Sequence, residues 1–212
     1  MARQIDARID ALFVEGPDDG AVVNAFVKKR LGVELAKAPY LVRAKPEGGG
    51  DAWALRQFDK QVAEAREGAR VGVIVDRDAV ENDKWPAVRD RLARLGATFD
   101  APPRTGAIIG GRYGIWMWPD NVSHGALETF VADLLPSSPL LDYAAEACRV
   151  ARMDHDAEYD PGDDRKATLK VRSVWRDARA AGGYGHLIRN ISLTETEASK
   201  AFLAWFEKLY LA

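Results

Sequence analysis

Acidic residues gather at two places in the chain where an apolar run ends. Glu15, Asp18 and Asp19 follow "ALFV", and Asp76 and Asp78 are placed at the end of "VGVIVDRD". For either cluster alone a solvated turn is the simpler interpretation, because loops are polar and acids suit a first helical turn. Several carboxylates close together repel one another unless a cation lies between them. Oxygen ligands without histidine or thiolate favour a hard ion, Mg²⁺ or Mn²⁺.

The elements that must position these acids alternate between strands and helices. Short apolar runs predict strands at 10–14, 38–44, 70–76, 106–110 and 113–120. Amphipathic stretches predict helices at 17–31, 52–67 and 84–96. Such alternation is typical of an α/β fold with a mainly parallel central sheet flanked by helices. In open sheets of this kind ligands bind beyond the carboxyl ends of the strands, so the two acidic clusters are predicted to meet at one edge.

The remainder of the chain is predicted to be helical. Helices are expected at 124–135, 139–153, 164–180 and 195–211. Thr194 and Glu197 have the spacing of a capping box for the last of these. The turn-rich "MDHDAEYDPGDD" favours a boundary between an α/β domain, 1–153, and a helical C-terminal extension, 154–212, packed on it as one compact unit. Trp116 and Trp118 alternate along one strand and are expected in the core.

Composition narrows the classes of function. The chain has 212 residues and 47% apolar content, enough for one substantial core. A formal net charge of −2 means that any polyanion site must be a local patch. The single cysteine, Cys148, excludes an intramolecular disulfide and a zinc site built on several thiolates. Neither a signal peptide nor an apolar stretch of membrane-spanning length is visible, so a cytoplasmic location without membrane contact is expected.

A third acidic position follows the last predicted strand, which Asp120 closes. Glu128 lies one to two turns into the next helix, where a solvated residue and a ligand are equally good interpretations. The three motifs "FVEGPDD", "VIVDRD" and "WMWPDNVSHGALETF", in this order, resemble the Toprim domain. With "DRKATLKVRSVW" they are similar to a family of small bacterial and archaeal Toprim-like proteins, related to the nuclease half of OLD-type (overcoming lysogenization defect) proteins. The resemblance spans about residues 10–180 and implies a Rossmannoid Toprim-like fold.

The resemblance also implies roles for individual residues. Glu15 and Lys166 would be catalytic, with Lys170 as the substitute for Lys166. OLD-type sites place a serine two residues before the third-motif acid, where this chain has Ala126; Ser123 or Asp120 would have to replace it. A Mg²⁺ or Mn²⁺ site would be formed by five acids: Glu15, Asp19, Asp76, Asp78 and Glu128.

These roles predict a magnesium-dependent nuclease that hydrolyses DNA or RNA phosphodiesters by a two-metal mechanism. The alternative is a non-catalytic module that binds metal and nucleic acid for a partner enzyme. No nucleotide-binding P-loop motif is present, so the ATPase half of OLD proteins is missing. A phospho-acceptor receiver domain and a HAD-type phosphatase fit less well. The Glu-Gly pair and the length of the chain oppose the first, and the place of Asp-x-Asp on the third strand opposes the second.

Basic residues of the helix predicted at 164–180 are candidates to bind nucleic acid. The proposed contacts are Arg165, Lys170, Arg172 and Arg176. On a helical wheel Arg165, Arg172, Arg176 and Arg179 share a face opposite Val171, Val174, Trp175 and Ala178. Either an ordinary solvated face or a track for phosphates fits this stripe. Of the histidines, His124 is beside the third motif, while His155 and His186 are expected in loops.

Overall fold

The computed structural model describes residues 4–35, 40–45, 47, 49–177 and 183–212. Within these ranges the strands are β1 (Ala11–Phe13), β2 (Val42–Arg43), β3 (Val71–Asp76), β4 (Ala107–Ile109) and β5 (Tyr113–Trp118). The helices are α1 (Pro17–Leu31), α2 (Gly50–Ala63), α3 (Trp85–Arg94), α4 (Leu127–Leu134), α5 (Pro139–Asp154), α6 (Asp164–Arg176), α7 (Tyr184–Asn190) and α8 (Glu197–Tyr210).

The strands form one sheet in the order β2-β1-β3-β5-β4. β1 pairs in parallel with β2 and β3, β3 pairs in parallel with β5, and only β4 is antiparallel to its neighbour among these described strands. The predicted α/β fold with a mainly parallel sheet is therefore confirmed, and it is of Rossmann-like type. Because β1, β3 and β5 run in the same direction, their carboxyl ends point to the same edge of the sheet. Phe13 is level with Val73, and Val73 with Ile115.

Helices cover both faces of the sheet. One apolar cluster joins the β5 tryptophans to α1, α4, α7 and α8, and a second cluster joins the other sheet face to α2 and α3. β3 is buried on both faces, which explains why its sequence is an almost unbroken apolar run. Trp116 and Trp118 are fully buried, as predicted.

The C-terminal helix α8 belongs to the core around the sheet. The Tyr210 hydroxyl donates a 2.8 Å hydrogen bond to the carbonyl of Ala11 in β1. A side chain at Gly114 would collide with Leu209 and Trp205, so glycine in β5 lets α8 pack closely on the sheet. The domain boundary at residue 153 stays a prediction.

The structure shifts several predicted boundaries. α2 begins at Gly50 and ends at Ala63, whereas the sequence predicted a helix at 52–67. β5 ends at Trp118, so Asp120 lies in the following turn. Residues 38 and 39 of the second predicted strand lie outside the described residues, as do residues 178–180 of the predicted late helix.

Two features near the C-terminus differ from the prediction in kind. α7 was not predicted, because its glycine-rich surroundings hide the apolar pattern, and His186 lies on this helix rather than in a loop. The capping box of α8 is formed by Thr196 and Ser199 instead of Thr194 and Glu197. None of the helices in the described ranges has the length and apolar content that a membrane span requires.

Candidate functional site

Two acids meet where β1 and β3 end side by side. Asp76 is the last residue of β3, and Glu15 lies two residues past the end of β1. The Asp76 backbone N–H donates a 2.7 Å hydrogen bond to Oε1 of Glu15. The sequence predicted that these acids share one edge, and the structure brings them into direct contact.

Asp19 reaches the same edge from the first turn of α1. Its side chain is buried, and it accepts 3.1 Å hydrogen bonds from the Gly16 backbone N–H and from the indole Nε1–H of Trp118. A helix begins here because Pro17 suits the first helical position and Asp19 satisfies a free N–H group. The indole contact ties the end of β5 to the acidic edge.

Asp76 also anchors the third motif. Its Oδ1 accepts a 2.9 Å hydrogen bond from the backbone N–H of Leu127, the first residue of α4. Ala126, at the N-cap position, has no side-chain oxygen for this purpose, so Asp76 provides the cap from the neighbouring strand. Glu128 therefore stands in the first turn of α4 beside the other acids, and it accepts a 3.3 Å hydrogen bond from the Tyr184 hydroxyl.

Asp78 is held on the rim of the site by its backbone. It adopts a left-handed conformation, with φ 65°, and exchanges two 2.9 Å backbone hydrogen bonds with Gly125. Lys84 Nζ lies 3.5 Å from Oδ2 of Asp78 and 3.2 Å from Oδ2 of Asp51. Sequence reasoning missed Lys84 and Asp51. The three glycines at 48–50 are a sequence signal that could have directed attention to Asp51, whereas no sequence signal pointed to Lys84.

Shielding from water raises the pKa values of the acids at the centre of the site. Burial raises the pKa of Asp76 to about 9, and the charges of Glu15 and Asp19 add to the effect. Burial likewise raises the pKa of Glu15 to about 7 and that of Asp19 to about 6, although hydrogen bonds to both oppose the shift. In the described part of the chain, no basic side chain contributes to balancing these three charges.

The donors at this edge fit a hard divalent cation in type and in charge. Every side chain that the resemblance assigned to the metal is a carboxylate, and crowded carboxylates without a basic partner are relieved by a bound cation. In the structure, four of these five carboxylates accept hydrogen bonds from N–H or O–H groups. Among the described residues, no group of three or more Asp, Glu, His or Cys side chains is arranged to hold an ion.

A cleft of about 960 Å³ opens beside the acidic edge. Asp76, Asp78 and Glu128 line one side of it, with His124 next to them. The helical side is contributed by α5 and by the start of α6, and its charges are mixed: Arg149, Arg165 and Lys166 lie there together with Asp163 and Asp164. Lys166 and Arg165 are exposed to solvent there. The structure thus brings the predicted late lysine into the same cleft as the acids, and it adds Arg149, which sequence reasoning missed.

The predicted arginine stripe on α6 is exposed only in part. Arg165 and Arg176 are exposed, but Arg172 is only 2% exposed, and Val174 and Trp175 of the opposite face are 52% and 46% exposed. The helix packs on α4 and α5 through the face that contains Leu169 and Arg172. A helical wheel defines two faces but not which of them meets the protein. Lys170 and Arg176 are exposed as expected, and Arg179 and Ala178 lie outside the described residues.

The residues considered as replacements for the missing serine have local roles. Asp120 accepts hydrogen bonds from the Val122 N–H, the Ser123 N–H and the Ser123 hydroxyl. Burial alone would raise the pKa of Asp120, but these hydrogen bonds outweigh that effect and lower the pKa. Both residues close a turn, and the described wall of the cleft contains neither of them. His124 Nε2 lies 3.4 Å from Oδ2 of Asp83, so that this histidine has a carboxylate partner at the rim.

Comparison with known proteins gives a family for this chain. A family model described as "Protein of unknown function (DUF3226)" matches residues 9–211. The chain belongs to this family. The search of curated proteins and the search of solved structures each found no match. The matched range contains the acidic edge and both walls of the cleft, while the Toprim resemblance stays a prediction.

Proposed function

We propose that this protein is a Toprim-like nuclease that uses Mg²⁺ or Mn²⁺ to hydrolyse phosphodiester bonds of DNA or RNA. The observation that carries the proposal is the acidic edge itself. Glu15, Asp19 and Asp76 converge from the ends of β1 and β3 and from α1 without a basic partner in the described residues, and they adjoin a cleft that Arg165 and Lys166 also line. Such a cleft suits a polyanion that is cut beside bound cations.

The acids divide into two groups in this proposal. Glu15, Asp19 and Asp76 form the inner group, and Asp78 and Glu128 face the cleft. Together they would hold the ions, which supply activation of a water molecule and stabilisation of charge on the phosphoryl group when bound. Tyr184 orients the Glu128 carboxylate through its hydroxyl, and the α4 N-terminus is fixed by Asp76.

The basic residues of the cleft would hold the substrate. Lys166 and Arg165 line the same cleft as Asp76 and Glu128, and in this proposal they would contact the phosphate that is cut and its neighbour. A cation held in place before the reaction stabilises negative charge as it develops, which is the role we assign to Lys166. Arg149, from α5, lines the same cleft.

One alternative is favoured by specific observations. Ala126 provides no side-chain ligand, and the described carboxylates are occupied by hydrogen bonds rather than arranged around an ion. These features suit a module that binds metal and nucleic acid for a partner enzyme without cutting it.

The test combines binding and cleavage. Wild-type protein and Asp76→Asn would be incubated with Mn²⁺ and with single- and double-stranded DNA and RNA, and Mn²⁺ binding would be measured by calorimetry. Asp90→Asn is the matched control, because Asp90 is exposed on α3 and outside the cleft. The proposal expects cleavage by the wild type and the control but not by Asp76→Asn. Binding of Mn²⁺ and nucleic acid without cleavage would support the module, and absence of Mn²⁺ binding would refute both.

A further inference from the structure

Two aromatic rings stack on the outer surface of the α5–α6 pair. The ring centroids of Tyr143 and Trp175 are 5.4 Å apart with an interplanar angle of 31°. Both remain open to solvent, with exposures of 66% and 46%, and Val174 beside them is also exposed. Large apolar groups that face water together commonly mark an interaction site.

The Tyr143–Trp175 pair and the cleft are on the same face of α6. The Arg152 guanidinium binds the Asp164 carboxylate at one end of the two helices, and Tyr143 meets Trp175 at the other, so α5 and α6 are antiparallel. Thr168 lines the cleft, and Trp175 follows it on α6 by close to two turns, which places both on one face of the helix. At a rise of about 1.5 Å per residue the ring is roughly 10 Å farther along the helix axis.

One side of α6 beside Trp175 is basic. Arg176 is exposed next to it, whereas Lys170, five residues earlier, lies on a different side of the helix. Arg172, one turn before Trp175, is buried, and its Nε and Nη1 atoms have no hydrogen-bond partner. A guanidinium without an acidic partner leaves its positive charge uncompensated at this part of the helix.

Acids near the rings in the described residues include Asp142 and Glu146 of α5 and Asp177, which follows α6 two residues after Trp175. Glu146 is engaged by Arg149 in a paired hydrogen bond, with distances of 2.6 and 2.9 Å. Asp142, the neighbour of Tyr143, is exposed, and its carboxylate repels a phosphate. A ligand that stacks a ring on the aromatic pair and places its phosphates on the α6 side keeps those phosphates away from Asp142.

We propose that Tyr143 and Trp175 form a platform on which a base of single-stranded nucleic acid stacks, while the strand runs along α6 into the cleft. This inference rests on the proposed function and narrows its substrate class. Every base has an apolar face that stacks on aromatic rings, whereas the bases of a duplex are already stacked and paired. At about 3.4 Å per nucleotide along a stacked strand, the platform lies about three nucleotides from the cleft wall.

The platform is tested by binding in the Asp76→Asn background, so that the substrate stays intact. Fluorescence anisotropy would measure the affinity for a labelled single-stranded oligonucleotide and for a hairpin duplex of the same length. Trp175→Ala should weaken single-strand binding at least about fivefold, the loss of one base–aromatic contact. Trp175→Phe should retain most of the affinity. Tyr40→Ala is the control, since Tyr40 is equally exposed but lies far along the chain from α5 and α6.

Salt dependence separates stacking from charge. Trp175→Ala removes no phosphate contact, so the slope of log affinity against log salt should stay unchanged, whereas Arg176→Ala should reduce it by about one unit. An unchanged affinity in Trp175→Ala, or an equal loss for the hairpin duplex, would overturn the platform. So would sedimentation showing that the wild type is a dimer and Trp175→Ala a monomer, because the rings would then be a contact between copies.

The platform and the nuclease proposal fail in different ways. Single-strand binding that depends on Trp175, in a protein that cuts nothing, upholds the platform and rejects the nuclease. Metal-dependent cleavage with no effect of Trp175→Ala on single-strand affinity upholds the nuclease and rejects the platform.

Discussion

The Asp76 backbone N–H donates to the Glu15 carboxylate at 2.7 Å, and the Asp76 carboxylate in turn accepts from the Leu127 N–H at 2.9 Å. Asp76 therefore joins the first acidic motif to the third. This chain of contacts holds the ends of β1 and β3 and the start of α4 in one place. It also concentrates like charge. Burial raises the pKa values of Glu15 and Asp76, the charge of Glu15 raises the pKa of Asp76 further, and the charge of Asp19 raises both.

Replacing Asp76 by asparagine should stabilise the metal-free protein. Asn keeps an Oδ1 atom that can accept from the Leu127 N–H, and it removes a carboxyl group that must bind a proton to stay buried at pH 8, because burial raises its pKa to about 9. At pH 8 the thermal midpoint in a chelator should rise by about 2–4 °C for each kcal/mol gained. Asp90→Asn, at an exposed position, should leave it unchanged. A clear fall in the Asp76→Asn midpoint would show that the carboxylate charge itself is structural.

The stability of the metal-free protein should fall as the pH rises. Burial raises the pKa values of Asp19, Glu15 and Asp76 to about 6, 7 and 9, above the values near 4 of the unfolded chain. Between these limits the folded state binds more protons than the unfolded state, so the free energy of unfolding decreases from about pH 4 to pH 9. Urea unfolding at pH 5, 7 and 9 measures this trend. Asp76→Asn should reduce the slope over the whole range and remove it between pH 7 and 9, where Asp76 is the one acid of the three that still contributes. An increase of stability between pH 7 and 9 in the wild type would contradict the assignment.

Divalent cations should reverse this pH trend. Metal ligands must be deprotonated, so Mg²⁺ or Mn²⁺ stabilises the fold more at pH 8 than at pH 5. At a free ion concentration of 100 times Kd the gain is about 2.7 kcal/mol, a midpoint shift of several degrees. Thermal unfolding across a Mn²⁺ titration at the two pH values checks this. The same titration of Asp76→Asn should show a much smaller gain, and an equal gain in both proteins would place the ion elsewhere.

The acidic edge was predictable because its cause is local. An apolar run that stops at an acid gives both a strand and its end, and parallel strands bring their ends to one edge, as Glu15 and Asp76 show. The contacts that complete the site are not local. Trp118 donates to Asp19 across 99 positions of sequence, and Lys84 reaches Asp51 and Asp78 only because α2, α3 and β3 are packed together.

The orientation of α6 shows a second limit of the sequence. Its apolar and basic residues separate into two faces, and burial of the apolar one was the natural expectation. The structure instead buries Arg172 and exposes Trp175, whose indole ring stacks on Tyr143 of α5 at the surface. Packing between helices decided the face, and a single amphipathic pattern contains no information about it.

Lys166 and Lys170 provide the sharpest test of catalysis. They are the same residue type on the same helix, and both are exposed, but only Lys166 is in the described wall of the cleft that contains Asp76 and Glu128. Lys166→Ala should lower the turnover of metal-dependent cleavage at saturating substrate by about 10- to 1,000-fold, with little change in affinity. A group that acts mainly on charge in the transition state affects kcat more than binding.

Lys170→Ala is the matched control and should behave differently. Lys170 lies one turn after Lys166 on α6 and outside the described wall of the cleft, so its loss should weaken substrate binding and lower the salt slope while turnover at saturation stays within about twofold of the wild type. Circular dichroism of both variants excludes unfolding as the cause, since neither side chain is buried. If the two substitutions reduce turnover equally, position in the cleft does not matter and Lys166 has no special part in the reaction. If only binding changes in both, the lysines serve the phosphate backbone alone and the non-catalytic module becomes the better description.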